Sequence, residues 1–208
     1  EHTSRGLGDV YKRQVFKYAG FSGEYAAAGY GAGTRIEQVV LLPILGINTA
    51  IITIIAQNFG AKNLLRIKQT YLTAIKYAFV IMILSSLFVY FLAELLTGLF
   101  STDLNVIEFG KLYLQISAFV LPAYPVFFLS NGFFMALKKS EKALIANVFR
   151  NVIFPFLVFY TALFYNSNFE NFFWLWVIYN WIFSLSYLGY TFFYLNFKLD
   201  KFSTVVKP

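Results

Sequence analysis

Apolar runs long enough to cross a lipid bilayer, joined by connections too short to hold a soluble domain, constrain this chain more than any other feature. Spanning the ~30 Å hydrocarbon core takes about 20 apolar residues in a helix. Five stretches reach that length, roughly 26–57, 67–97, 106–136, 143–165 and 172–197. The polar connections 58–66, 98–105, 137–142 and 166–171 leave no room for a further domain. Only 13% of residues are charged against 59% hydrophobic, where a soluble domain carries about 25% charged residues. The expected fold is all-α, a polytopic membrane helix bundle of about five transmembrane helices. The short piece 15–22, "VFKYAGFS", reads as the tail of a sixth. Several runs exceed the minimum, which implies tilt or kinks. Pro43 with Gly46, Pro122 with Pro125, and Pro155 mark the expected kinks, because proline removes an intrahelical hydrogen bond.

The first fourteen residues, "EHTSRGLGDVYKRQ", do not match this pattern. Their "SRGLGDVYKRQ" resembles the in-frame translation of a transposon-end adapter used in sequencing libraries. Residues 1–14 are therefore set apart from fold reasoning, and the credible chain is 15–208, expected to begin in mid-protein.

Charge placement sets the expected topology. Loop 58–66 and its flank carry Lys62, Arg66 and Lys68; loop 137–142 carries Lys138, Lys139 and Lys142 against Glu141; the tail carries Lys198, Lys201 and Lys207. The alternate connections hold Glu24, Asp103, Glu108 and Glu170. Basic loops stay cytoplasmic, so the C-terminus is expected inside, with Trp174 and Trp176 at the outer interface. The net charge of +7 sits between apolar runs, which suits the lipid bilayer as partner and not nucleic acid. With no cysteine, disulfides and thiolate metal sites are excluded. The single histidine, His2, lies in the excluded leader. Neither a phosphate loop nor a Ser/His/Asp set nor metal-spaced ligands occur, so no enzyme and no cofactor is expected.

Arg35 and Glu37 stand inside an otherwise uncharged run that continues to Lys62. A charge at mid-membrane costs several kcal/mol, so it normally marks a function or a partner. Two residues apart, the pair points about 200° apart on a helix and pairs poorly. Arg150, about two turns past Lys142, is a second buried base and a candidate partner for Glu37 across the bundle. A packing ion pair or snorkelling arginine is the plainer alternative. "AAAGYGAG" (26–33) reads as a close-packing helix face and not as a dinucleotide loop. In "AQNFGAKN" (56–63), Gly60 suits the left-handed residue that ends a helix.

That last string carries a resemblance. "GYGAGTRIEQVVLLPILGINTAIITIIAQNFGAKNLLRIK" (29–68) resembles the eighth transmembrane segment, and the loop after it, of the multidrug and toxic compound extrusion (MATE) family. The family loop reads Gly-Gln-Asn-x-Gly-Ala-x-Asn followed by Arg; Gln57, Asn58, Gly60, Ala61, Asn63 and Arg66 match it, and Ala56 replaces the leading Gly. "FSTD" (100–103), "FFMALKKSEKALI" (133–145) and "RNVIFP" (150–155) extend the likeness, which covers about 20–197. The family commonly has Gln and Gly where Met135 and Lys138 stand.

The resemblance implies a second six-helix lobe that lacks most of its first helix and needs the missing N-terminal lobe of the same chain. It implies a secondary active exporter of small organic cations or amphipathic drugs in the bacterial inner membrane, driven by Na⁺ or H⁺ as coupling ion. Arg35, Glu37, Tyr124, Asn131 and Arg150 are then candidates for the cavity between lobes. Some branches place an Asp cation ligand near "LPAYPVFF" (121–128), where this chain has Tyr124 and no carboxylate. The alternatives are a flippase for lipid-linked saccharides, which would line its cleft with several basic residues, and a structural membrane subunit without transport activity.

Overall fold

The computed structural model describes residues 24–164 and 169–198. The leader 1–14, the apolar piece 15–22 and the tail beyond 198 lie outside the described residues. Among those described, every regular element is helical: α1 (Glu24–Val40), α2 (Leu42–Gly60), α3 (Leu64–Gly98), α4 (Leu104–Ser117), α5 (Tyr124–Ala136), α6 (Ser140–Val148), α7 (Phe154–Phe164) and α8 (Phe169–Phe193). Four units are long and apolar enough to cross a membrane: 25–60, 64–98, 140–164 and 170–196. The pair 104–117 and 121–136, bent by 40°, makes a fifth crossing if taken as one span.

Each of the three proline sites disturbs the regular helical ladder. At Pro43 the carbonyl of Leu41, whose own N–H donates to the Glu37 carbonyl at 3.0 Å, accepts from both the Ile44 and Leu45 N–H groups, at 3.0 Å and 3.2 Å. At Pro122 and Pro125 a single 3₁₀ turn, Leu121–Ala123, joins α4 to α5. Before Pro155 the chain widens into a π-turn over Phe149–Ile153, and Phe154 N–H donates to the Phe149 carbonyl five residues back. The missing proline N–H and the ring's clash with the preceding turn force each departure.

Freed carbonyls inside a membrane need donors. The α4–α5 break receives three: Ser86 Oγ donates to Ala118 O at 2.6 Å, Trp181 Nε1 to Phe119 O at 2.8 Å, and Ser184 Oγ to Ala123 O at 3.3 Å. The bend is therefore anchored to α3 on one side and α8 on the other. Deeper in the bundle, Tyr71 and Ser130 share a hydrogen bond of 2.7 Å, and Tyr187 donates to Asn131 Oδ1 at 3.0 Å.

Helix α3 shows how lipid exposure sorts its side chains. Ile67, Tyr71, Ala74, Ala78, Met82, Val89 and Ala93 form a buried stripe at helical spacing. Leu84, Phe88, Phe91 and Leu95 on the other face are exposed. The small residues in the stripe allow the close approach on which membrane helix packing depends.

Both short loops with three basic residues in or beside them end their helices in the same way. Lys62 N–H donates to Phe59 O at 3.1 Å and Asn63 N–H to Asn58 O at 2.9 Å; Lys138 N–H donates to Met135 O at 3.0 Å and Lys139 N–H to Phe134 O at 2.9 Å. This is the Schellman closure, which needs one left-handed residue. That residue is Lys62 in the first loop and Lys138 in the second, each with φ 56°. The expectation for Gly60 is thereby corrected: Gly60 is the last helical residue, and the reversal occurs two positions later. Asn63 then caps α3 by accepting from Arg66 N–H at 3.1 Å. A lysine in the left-handed region is strained by roughly 1–2 kcal/mol, partly offset by the unfolded-state entropy that glycine would add. Lys138→Gly is expected to stabilise the fold by up to ~1 kcal/mol, seen as a higher unfolding midpoint in detergent. An unchanged or lower midpoint would show that the strain is not there.

Candidate functional site

Helix α1 meets α4 along a seam of small residues that ends on a carboxyl. Ala26, Gly29, Gly33 and Ile36 are buried, and so are Val106, Gly110, Tyr113 and Ser117 opposite. A Cβ at Gly29 would lie 2.8 Å from the Val106 carbonyl oxygen and 3.0 Å from the Gly110 nitrogen, so backbone touches backbone there. One turn on, a Cβ at Gly33 would collide with the Tyr113 ring. "GYGAG" is thus a packing face, as its composition implies. One turn further the seam arrives at Glu37, whose carboxyl lies beside the Ser117 and Tyr113 hydroxyls.

Tyr124 opens α5 immediately past the bend and lies close to both Glu37 and Arg150. The Arg150 guanidinium stacks over aromatic faces, 4.1 Å from the Phe127 ring centre, 5.0 Å from Tyr124 and 5.9 Å from Phe128. It also has the Tyr124 phenol as a hydrogen-bond partner. The candidate ion pair between Glu37 and Arg150 is not formed: among the described residues the one ion pair is Lys111 with Glu94, at 2.7 Å. Tyrosine intervenes between the two charges, so the carboxyl is held by hydroxyls and the guanidinium by rings.

The position of this cluster is informative. Glu37 precedes the α1–α2 interruption by one turn, Ser117 and Tyr124 flank the α4–α5 bend, and Arg150 is inside the π-turn. Glu37, Tyr124 and Arg150 thus each lie beside or within a proline-linked irregularity of their own helix. Irregular backbone within a membrane span is tolerated where it lines a cavity or a site.

The remaining sequence candidates separate from the cluster. Arg35 is exposed, on a different face of α1 from Glu37. Asn131 is buried and occupied by Tyr187. Gln57, Asn58, Gly60, Ala61, Asn63 and Arg66 build the α2–α3 corner described above; Asn58 Nδ2 also donates to Ile54 O at 2.7 Å. Sequence reasoning missed Tyr113, Ser117 and Tyr30, whose ring packs edge-on against Tyr113 at 5.0 Å. The signal was present as the spacing 106, 110, 113, 117, read against the glycines of the first span. Among the described residues no group of three His, Cys, Asp or Glu is placed to hold a metal.

Comparison with known proteins places this geometry. A family profile described as MatE matches residues 15–161. A FAD transporter of Shewanella oneidensis is 37% identical over 91 residues, which cover 44% of this chain and 20% of that protein. The multidrug export protein MepA of Staphylococcus aureus is 29% identical over 143 residues, covering 68% of this chain and 32% of that one. Among solved structures, a MATE protein in complex with MaL6 superposes with a TM-score of 0.83 at 22% identity, covering 92% of this chain and 43% of that one. An outward-facing multidrug resistance MATE transporter gives 0.80 at 22% identity, covering 97% and 44%. The chain therefore spans a third or less of these curated relatives and less than half of the solved structures. With the family profile matched over most of its length, the chain belongs to the MatE family of membrane transporters, of which it forms about half a fold.

Proposed function

We propose that this chain is the second lobe of an exporter that expels cationic or amphipathic compounds in exchange for Na⁺ or H⁺, and that Glu37 is its ion-responsive carboxyl. The observation that carries this reading is the placement of Glu37: a carboxyl beside the Ser117 and Tyr113 hydroxyls, close to Tyr124 at the α4–α5 bend, and without a basic partner among the described residues. An acid held by Ser117 and Tyr113 is free to bind a proton or a small cation without breaking an ion pair. The multidrug export name of the Staphylococcus relative supports the same cargo class. Alternating access requires an opposing repeat, so the working partner is an N-terminal lobe.

A second reading draws on the Shewanella relative, named a FAD transporter. An anionic, aromatic cargo would suit a guanidinium stacked on rings, although Arg35 lies on another face of α1 and adds no second base there. A saccharide-lipid flippase remains an alternative, and two arginines are few for holding a pyrophosphate. The discriminating experiment reconstitutes the full-length protein in liposomes and imposes a Na⁺ or pH gradient. Cation-dye flux driven by the gradient is expected; gradient-driven FAD flux with no dye flux would replace the first reading by the second.

The proposed site is a bacterial inner membrane with the basic loops in the cytoplasm. Lys68 Nζ donates to Asn196 at 2.8 Å and Lys142 Nζ to Tyr190 at 2.7 Å, which puts the two basic loops and the end of α8 on one side of the bundle. Cysteines placed at Lys139 and Asp103 are expected to react from the cytoplasm and from outside, respectively. Reversed labelling would invert the topology.

A further inference from the structure

Away from the Glu37 cluster, a groove of about 560 Å³ runs between α6–α7 and α8. Its cause is a change of packing partner: α6 packs on α5, whereas α7 packs on α8, so α6 and α8 diverge below the π-turn. Ala146, Phe149, Phe154, Phe183 and Tyr187 line it, and the only charged lining group is Lys142, at one end. Phe149 and Phe183 stack at 6.2 Å within it, and Phe154 meets Tyr179 at 5.4 Å. From Lys142 to Leu157 the groove follows the helix for roughly 20 Å at ~1.5 Å per residue. That exceeds the depth of one leaflet, roughly half of the ~30 Å core.

Both walls belong to units apolar enough to cross the membrane, so the medium at the groove is lipid and not water. Its charged end lies at the loop that holds Lys138, Lys139 and Lys142. Lys142 Nζ is bound to the Tyr190 hydroxyl and lies over the Tyr190 and Tyr194 rings, 5.4 Å and 5.7 Å from their centres. Among the described residues it forms no ion pair, although its sequence neighbour Glu141 interacts with it electrostatically. An oriented ammonium at the interface, with an apolar channel beneath it, has the chemistry of a phosphodiester head above one hydrocarbon chain.

We infer that this groove is a binding site for an anionic phospholipid of the leaflet facing the basic loops, with one acyl chain in the opening between α6 and α8 and the phosphate at Lys142. The site is separate from the transport reading and holds whichever cargo the protein moves.

The test uses the full-length protein in mild detergent, with phosphatidylglycerol and phosphatidylcholine of matched chains added and bound lipid read by native mass spectrometry. Phosphatidylglycerol is expected to bind more tightly, and Lys142→Ala to weaken it roughly fivefold, the share of one lysine near an anionic lipid. Ser186→Trp, whose ring would fill the groove, is expected to remove both lipids. Ser186 bonds only within its own helix, to Ile182 O at 2.7 Å, so the variant leaves the bundle's cross-links intact. A photo-reactive residue at position 186 is expected to yield a lipid adduct. Equal binding of the two lipids with no effect of Lys142→Ala would overturn the proposal. So would an adduct to a second copy of the chain or to another segment of the same chain.

Discussion

Glu37→Gln is expected to abolish gradient-driven transport in the full-length protein, by tenfold or more, while expression and detergent stability stay at wild-type levels. The reasoning rests on what holds the side chain. Removing one member of a buried ion pair strands the other charge and typically loses ~3–5 kcal/mol, so such a variant folds poorly. Glu37 has Ser117 and Tyr113 beside it instead. A glutamine amide, with both an acceptor oxygen and a donor NH₂, can meet the Tyr113 hydroxyl and the Ser117 oxygen, whose own proton goes to the Leu114 carbonyl at 3.2 Å. The substitution therefore removes the ionisable group and keeps the shape. Glu37→Asp, with the acid on a shorter arm, is expected to retain part of the flux. Poor folding of Glu37→Gln would show that the carboxylate is structural. Normal folding with unchanged flux would remove Glu37 from the mechanism.

Gly29→Val is the second large effect, and it acts at a distance of two helical turns. A side chain there meets the Val106 carbonyl and the Gly110 backbone, neither of which can rotate aside. Overpacking usually costs ~1–3 kcal/mol, and backbone against backbone belongs at the upper end. To relieve the clash α1 must move off α4, which takes Glu37 away from Ser117. Loss of both thermal stability and transport is expected. Gly31 supplies the control, since nothing lies within 4 Å of the position its Cβ would take. Gly31→Val should leave both readouts within the scatter of wild type. If the two variants behave alike, the seam is not what positions Glu37.

The helical fold was legible because membrane helices advertise themselves by length and hydropathy, and four prolines at three sites marked where their regularity fails. The packing role of "GYGAG" was legible from composition, since small residues at that spacing have few other uses in a bilayer. The helix-ending residue was misplaced for a physical reason: glycine is the usual left-handed residue, yet the closure depends on position relative to the last turn, and a lysine occupies it twice. The relation of Glu37 to Arg150 was not legible at all. Opposite charges in an apolar setting suggest a pair, but the contact depends on which helix faces meet. Here the α4–α5 bend inserts Tyr124 between them. Tyr113 and Ser117 went unread because hydroxyls are common in helices, and only their match to the glycine spacing distinguishes them.

The π-turn before Pro155 also sets the register of the span around it. Its i→i+5 closure takes up one residue more than an α-turn does. Everything after it is rotated by about 100° relative to an uninterrupted helix, the angle of one residue at 3.6 per turn. The extra residue in the turn thus lets one continuous span obey two different registers: Arg150 faces the aromatic interior while Phe156 and Tyr160 face outward. Deleting one residue from 149–153 would restore a uniform helix and force a choice between those faces. Either the guanidinium would turn outward from the bundle, or the part of the span after Pro155 would turn its exposed rings inward.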